Sequence, residues 1–202
     1  MTPPGTFDRV YAAIRQRLRE GLYRPGDRLE PALLSDELNA SVTPVRDALH
    51  RLTGERLVEA PRHEGFRVPQ LSEARLRHLY AWHLDLLLLA LMRRRGGASD
   101  APQSAAPTAA MDPHEQRRAM FTAIARSTGN PEHMAALDSV AERLQPLTRL
   151  EDLLLDEVEI EADAIFQALR LGDRRQLRRR LVNYHRRRER IVPELLERLE
   201  RD

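Results

Sequence analysis

The stretch Ser41-Val42-Thr43-Pro44-Val45-Arg46-Asp47-Ala48-Leu49-His50-Arg51-Leu52 decides the fold. Its apolar residues Val45, Ala48, Leu49 and Leu52 recur at i, i+3, i+4 and i+7, the stripe of an amphipathic helix. Ser41 or Thr43 can cap this helix, and Pro44 falls in its first turn, where a missing N–H costs nothing. At about 100° per residue, Thr43, Asp47 and His50 point away from the stripe, with Arg46 and Arg51 beside them. A shorter helix precedes it, starting at Pro31, carrying Leu33, Leu34 and Leu38, and stopping near Asn39. Two helices joined by so tight a turn, the second showing hydroxyl and arginine side chains at its start, can place that second helix in the DNA major groove. Arginine there bridges guanine O6 and N7, while the helix dipole and the free first amides favour a phosphate near Ser41 to Thr43. The competing reading makes Arg46 and Arg51 ordinary solvated charges, and spacing alone favours neither.

Upstream, Phe7, Val10, Tyr11, Ile14 and Leu18 mark another amphipathic helix, ended by Gly21 and Pro25-Gly26-Asp27. Downstream, residues 57–60 and 65–68 read as two short strands around Pro61-Arg62-His63-Glu64, a basic tip able to reach the minor groove or the backbone. Ser72 then caps a long helix running to about Arg95, apolar nearly all round between Leu84 and Met92 and so a central element. Residues 96–110, rich in Gly, Ala, Ser and Pro, have no apolar period and read as a flexible connection. Four more helices are expected: from Pro113 to Thr128, from Pro131 to about Leu150 with a break near Pro146, from about Glu151 to Leu171, and from Asp173 to about Glu200, bent at Pro193. The expectation is a mainly α chain, with a winged helix-turn-helix over residues 1–70 and an all-α antiparallel helical bundle over 71–202.

Composition supports this. Aromatic residues at 4% are too few for a typical sandwich or barrel, and hydrophobic residues at 42% suffice for a globular core. With no cysteine there is no disulfide, thiolate metal site or thiol catalysis. All 33 basic side chains are arginine, against 31 acidic residues, so the net charge is only +2 and any anion binding must be local. Residues 1–5 lack the basic-then-apolar pattern of an export signal, and the longest apolar run, Leu86 to Met92, falls well short of the ~20 residues of a membrane span. A cytoplasmic protein without membrane attachment is expected.

The run Pro25-Gly26-Asp27-Arg28-Leu29, the stretch from Ser41 to Leu49, then Arg51-Leu52 and Leu57-Val58-Glu59 resemble the winged helix-turn-helix of the GntR family of bacterial transcription regulators, over residues 7–68. Phe121, Ser127-Thr128-Gly129-Asn130, Ala168-Leu169 and Gly172-Asp173 resemble landmarks of the FCD effector domain of its FadR-like branch, over residues 71–202. The resemblance implies DNA contacts from Ser41, Thr43 and Arg46, with Arg62 and His63 at the wing tip. Val42, His50 and Arg51 complete the candidate DNA-binding set. The family pattern usually has arginine where this chain has Val42, and some members have arginine at Ala32. An operator unlike the commonest family sequence follows, with Val42 either packing on a thymine methyl or merely completing the turn.

The FCD resemblance implies a pocket floored by a divalent metal on an aspartate and three histidines. Here the corresponding positions read Arg118, Thr122, Ala162, and Tyr184 or its neighbour His185. A cation does not replace an anion in a metal shell, so no metal and no cofactor is expected. Positions often held by Arg and Glu in the family are His83 and Leu87, which implies a pocket more apolar than usual. The effector-binding candidates are His83, Arg118, Thr122, Tyr184 and His185. Arg118 has two readings: a fixed cation that anchors an organic acid in place of the metal, or a solvated side chain, since it points away from the stripe of Met120, Phe121 and Ile124. The acids between Glu151 and Asp163 and the arginines between Arg174 and Arg190 are expected to pair as surface charges of neighbouring helices.

The functional expectation is a ligand-responsive repressor that binds double-stranded DNA as a homodimer on a short palindrome, its effector a small molecule. The alternative is a winged-helix regulator or protein-interaction module with no small-molecule effector, which the missing metal ligands favour. An enzyme is not expected: no paired carboxylates, nucleophile with base, or phosphate loop occurs at a meaningful spacing.

Overall fold

Helix α1, Thr6–Arg19, buries Val10, Tyr11, Ile14 and Leu18, the residues its periodicity marks. The computed structural model describes residues 5–93 and 113–201 and divides into two compact units, Met1–Leu71 and Ser72–Asp202. In the first, β1 (Arg28–Leu29), α2 (Pro31–Glu37), α3 (Val42–Gly54) and β2 (Phe66–Arg67) follow α1. Pro31 opens α2, and Asn39 takes a left-handed φ of 47° in the turn before α3, a conformation asparagine tolerates. Val45, Ala48, Leu49 and Leu52 of α3 are all fully buried against α1 and α2. Leu33, one of the three leucines this helix carries, is 58% exposed. A seven-residue helix buries too narrow a stripe to cover it, and only Leu34 and Ser35 go in.

The wing differs from expectation. Phe66–Arg67 pairs antiparallel with Arg28–Leu29, just after the helix-ending turn and not expected as a strand, and the expected strand over 57–60 is reduced to a single bridge between Glu59 and Arg67. Gly26 makes this pairing available. Its φ of +93° turns the chain, its N–H donates to the Val68 carbonyl at 3.0 Å, and an added Cβ would meet Gln70 at 3.4 Å.

The second unit is helical throughout its described residues: α4 (Glu73–Arg93), α5 (Pro113–Arg126), α6 (Pro131–Leu144), a 3₁₀ turn at Gln145–Leu147, α7 (Thr148–Leu154), α8 (Val158–Arg170), α9 (Arg174–Arg190) and α10 (Val192–Arg201). Helix α4 packs on α5, α6, α9 and α10, which explains why it is apolar on most sides. Pro146 tightens the chain into the 3₁₀ turn, but α7 continues to Leu154, and the break expected near Glu151 comes instead at Glu157, with φ of 56°. Asn130 and Asp173 cap α6 and α9 through their carbonyl and carboxylate oxygens. The segment 96–110 lies outside the described residues. Among those residues no helix is long and apolar enough to cross a membrane.

Candidate functional site

Ser41 occupies the N-cap position of α3, yet its side chain makes no capping hydrogen bond. The first amides of α3 therefore keep no side-chain acceptor from the cap, which leaves them available to an outside anion. Ser41, Val42, Thr43 and Arg46 are all exposed, and Val42 keeps 38% of its surface open rather than filling the turn. His50 is exposed too, but its ring stands edge-on against Phe66 of β2 at 4.9 Å. Arg51, expected beside the free face, is exposed but leans over α1. Its guanidinium lies 4.2 Å from the centre of the Tyr11 ring and pairs with Glu55 at 3.2 Å, and Glu55 accepts the Tyr11 hydroxyl at 2.7 Å. Burial and that hydrogen bond raise the Tyr11 pKa to about 12. Arg62 and His63 stand exposed at the wing tip, where His63 and Gly65 take positive φ values of 64° and 77°.

The second unit contains a small open hollow lined by residues of α4, α5, α6, α7 and α9. Of the five candidates, His83, Arg118 and Tyr184 line it. Thr122 is half-buried elsewhere on α5, and His185 lies fully buried beneath His83. Its Nδ1 donates to the Leu181 carbonyl at 2.7 Å, so its Nε2 must accept from His83 Nδ1 at 2.9 Å. Burial lowers the His185 pKa to about 4 and holds His83 well below the ordinary value. Each ring nitrogen of His185 is thus spent, and the Nε2 of His83 is left buried without a partner. These residues do not fit the metal the resemblance implies: among the described residues no three His, Cys, Asp or Glu side chains come together to hold one.

The lining is more polar than the loss of the family's Arg and Glu suggests. Tyr80 donates to Glu151 Oε1 at 2.6 Å, and the other oxygen of Glu151 accepts from Arg188 Nε at 2.9 Å. Arg188 also donates to Glu161 at 2.7 Å, and its guanidinium sits 3.3 Å from the centre of the Tyr184 ring. Burial opposes the Arg188 cation, but Tyr184, Glu151 and Glu161 outweigh it and hold its pKa above the ordinary value. Burial pushes Tyr184 up to about 12, and burial with Glu151 beside it holds Tyr80 well above its ordinary value. Arg117 grips Asp152 with both terminal nitrogens, at 2.6 and 2.8 Å. The two charge runs thus meet inside the domain, through Arg188, rather than as the expected surface pairs alone.

Arg117, Glu151 and Arg188 are 5%, 1% and 0% exposed; sequence reasoning passed over Arg117 and counted the other two only as members of surface charge runs. Their signal was positional. Arg117 stands three, four and seven residues before Met120, Phe121 and Ile124, and Arg188 stands seven and four after Leu181 and Tyr184, so both lie on buried stripes. With Arg117 and Arg188 matched by carboxylates, Arg118 is left as the half-buried cation of the hollow that has no ion-pair partner among the described residues.

Residues 6–68 match the family described as bacterial regulatory proteins, gntR family. The chain is 30% identical over 89 residues to the HTH-type transcriptional repressor GlaR of Escherichia coli K12, a match covering 43% of this chain and 40% of that protein. It is 31% identical over 78 residues to the HTH-type transcriptional regulator McbR of the same organism, covering 39% and 35% of the two chains. The chain thus spans well under half the length of the curated relatives it matches. Both are regulators rather than enzymes. A solved structure described as a putative transcriptional regulator GntR from Rhodococcus sp. RHA1 superposes with a TM-score of 0.72 at 19% identity, covering 93% of this chain and 97% of that one, a likeness of fold.

Proposed function

Starting from a domain at residues 6–68 that belongs to the gntR family of bacterial regulatory proteins, we propose that the whole chain is a ligand-responsive transcription regulator, and no enzyme, that works in the cytoplasm as a homodimeric repressor. The observation that carries this reading is the start of α3, where uncapped amides and the exposed side chains of Ser41, Val42, Thr43 and Arg46 stand together. The amides and hydroxyls fix register on a phosphate, Arg46 reads a base edge, and Val42 offers a methyl surface to thymine. Arg62 and His63 extend the contact from the wing tip. Arg51 belongs to the support of α3 on α1.

The helical domain, from Ser72 onward, is the sensing and dimerising part. Its hollow takes a small monoanion, an organic acid, held by Arg118 and flanked by Phe121 and Tyr184, with the bare Nε2 of His83 ready to accept a hydrogen bond from a ligand hydroxyl. The test is to incubate the protein with fragmented DNA of its source genome at two salt concentrations and sequence what it retains, with and without a panel of small carboxylic acids. A recurring palindrome retained at the higher salt is expected, and one acid should release it. Retention without any shared sequence, lost uniformly with salt, would show that the reading head has no specificity.

A further inference from the structure

Helix α9 has two faces of opposite character. Leu177, Leu181, Tyr184, His185 and Arg188 are buried. On the other side Arg175, Arg179, Arg186 and Arg190 are exposed, and none has an ion-pair partner among the described residues. At about 100° per residue these four fall within about 60° of one another, opposite the buried face. Arg178 and Arg180, also exposed and unpaired among the described residues, border them. Of the acids expected to neutralise this helix, Glu151 and Glu161 pair with Arg188 and Arg187 rather than with the stripe, and Asp152 pairs with Arg117.

We propose that this arginine stripe is a second DNA-binding surface, one that holds the phosphate backbone of double-stranded DNA without regard to sequence. From Arg175 to Arg190 the helix rises about 22 Å, the axial length over which one DNA strand carries six or seven phosphates. Between its two arginine pairs the stripe presents only Asn183 and the half-buried Val182, and the single acid of the helix, Glu189, is half-buried at its edge. A protein docking surface would bring an aromatic or aliphatic anchor to its centre, and this one has none. Duplex DNA is the polyanion the stripe meets at highest local concentration, because a DNA-reading domain is tethered to it in the same chain. The inference stands apart from the effector reading and needs only that the first domain brings the chain to DNA.

The test is the salt dependence of binding to a 40-base-pair duplex of unrelated sequence, measured by fluorescence anisotropy with the full chain. Replacing all four arginines with glutamine (R175Q/R179Q/R186Q/R190Q) should make the log–log salt slope shallower by about 3 to 4, since each phosphate contact contributes about 0.9. The corresponding lysine variant should retain the slope, because a point charge still releases counterions. Substitution of Arg46 and Arg62 in the reading head should remove a separate share and leave the contribution of α9 in place. All four α9 positions are exposed, and unchanged circular dichroism confirms that the variants fold. An unchanged slope and affinity in the glutamine variant would overturn the proposal. So would an unchanged slope with loss of self-association, which would assign the stripe to the acids of a second copy. Stripe-dependent binding to phosphatidylglycerol vesicles with no effect on DNA would overturn it equally.

Discussion

At the scale of single residues, the chain separates charges that hold it together from charges left free. Arg188 is the clearest of the first kind: fully buried, stacked on Tyr184 and bound to two carboxylates from different helices. Replacing it with methionine would leave Glu151 and Glu161 without their cation inside the domain. A loss of about 3–5 kcal/mol is expected in urea unfolding at pH 7. Adding Glu151→Gln and Glu161→Gln to that variant should recover part of it, because the cost lies in the stranded charges. The single tryptophan, Trp82 on α4, reports this transition from within the helical domain. Arg46 is of the second kind, exposed and without an ion-pair partner among the described residues. Arg46→Ala should weaken operator binding by about 1–3 kcal/mol and relax the preference at one base pair. Val42→Arg should change which base is preferred near that position, and a selection from a randomised half-site reads both effects.

At the scale of elements, the His83–His185 contact ties α4 to α9 and makes their packing sensitive to acid. The His185 pKa is lowered to about 4 in the folded protein, below the ~6.5 of an unfolded chain, and that of His83 is lowered as well. Between those values the unfolded chain binds the proton and the folded chain does not. The contribution of His185 is therefore fully present above pH 6.5 and is lost as pH falls toward 4, amounting to about 2 kcal/mol by pH 5. Urea midpoints followed by Trp82 fluorescence at pH 7.5 and 5.0 should show that loss, and the H83L/H185L variant should flatten it.

Elements were also where sequence reading reached furthest. The stripes of α1 and α3, the proline and glycine boundaries, and the cap at Ser72 are local features, and the helices follow them closely. What it missed depends on distant partners. Strand β1 exists only because Phe66–Arg67 comes to lie beside it, and no period-2 pattern can show in two residues. Arg117, Glu151 and Arg188 sit on apolar stripes that tolerate a charge only when another helix supplies its counterion. The contact of Arg51 with Tyr11 was hidden for the same reason: the ring that receives it lies forty residues upstream.

At the scale of the whole molecule, a net charge of +2 gives little long-range attraction to DNA. On the proposed reading, binding comes from a few concentrated places, Arg46, the wing tip and the outer face of α9, rather than from the total. The same logic governs the proposed sensing role of the helical domain. A ligand that enters the hollow can act on DNA only through a difference in its affinity for the free and DNA-bound protein, and that difference is reciprocal. If a carboxylate weakens operator binding by some factor, the operator must weaken carboxylate binding by the same factor. A panel of small carboxylates ranked by the rise in Trp82 melting temperature identifies the probe, and its Kd is then measured with and without operator duplex. Equal factors are expected, with Arg118→Ala abolishing the melting shift while leaving operator binding intact. A carboxylate that releases DNA from the Arg118→Ala protein as well as from the unaltered one would place the effector outside this hollow. A panel that never shifts melting would favour a regulator without a small-molecule effector, its buried arginine network serving the core alone.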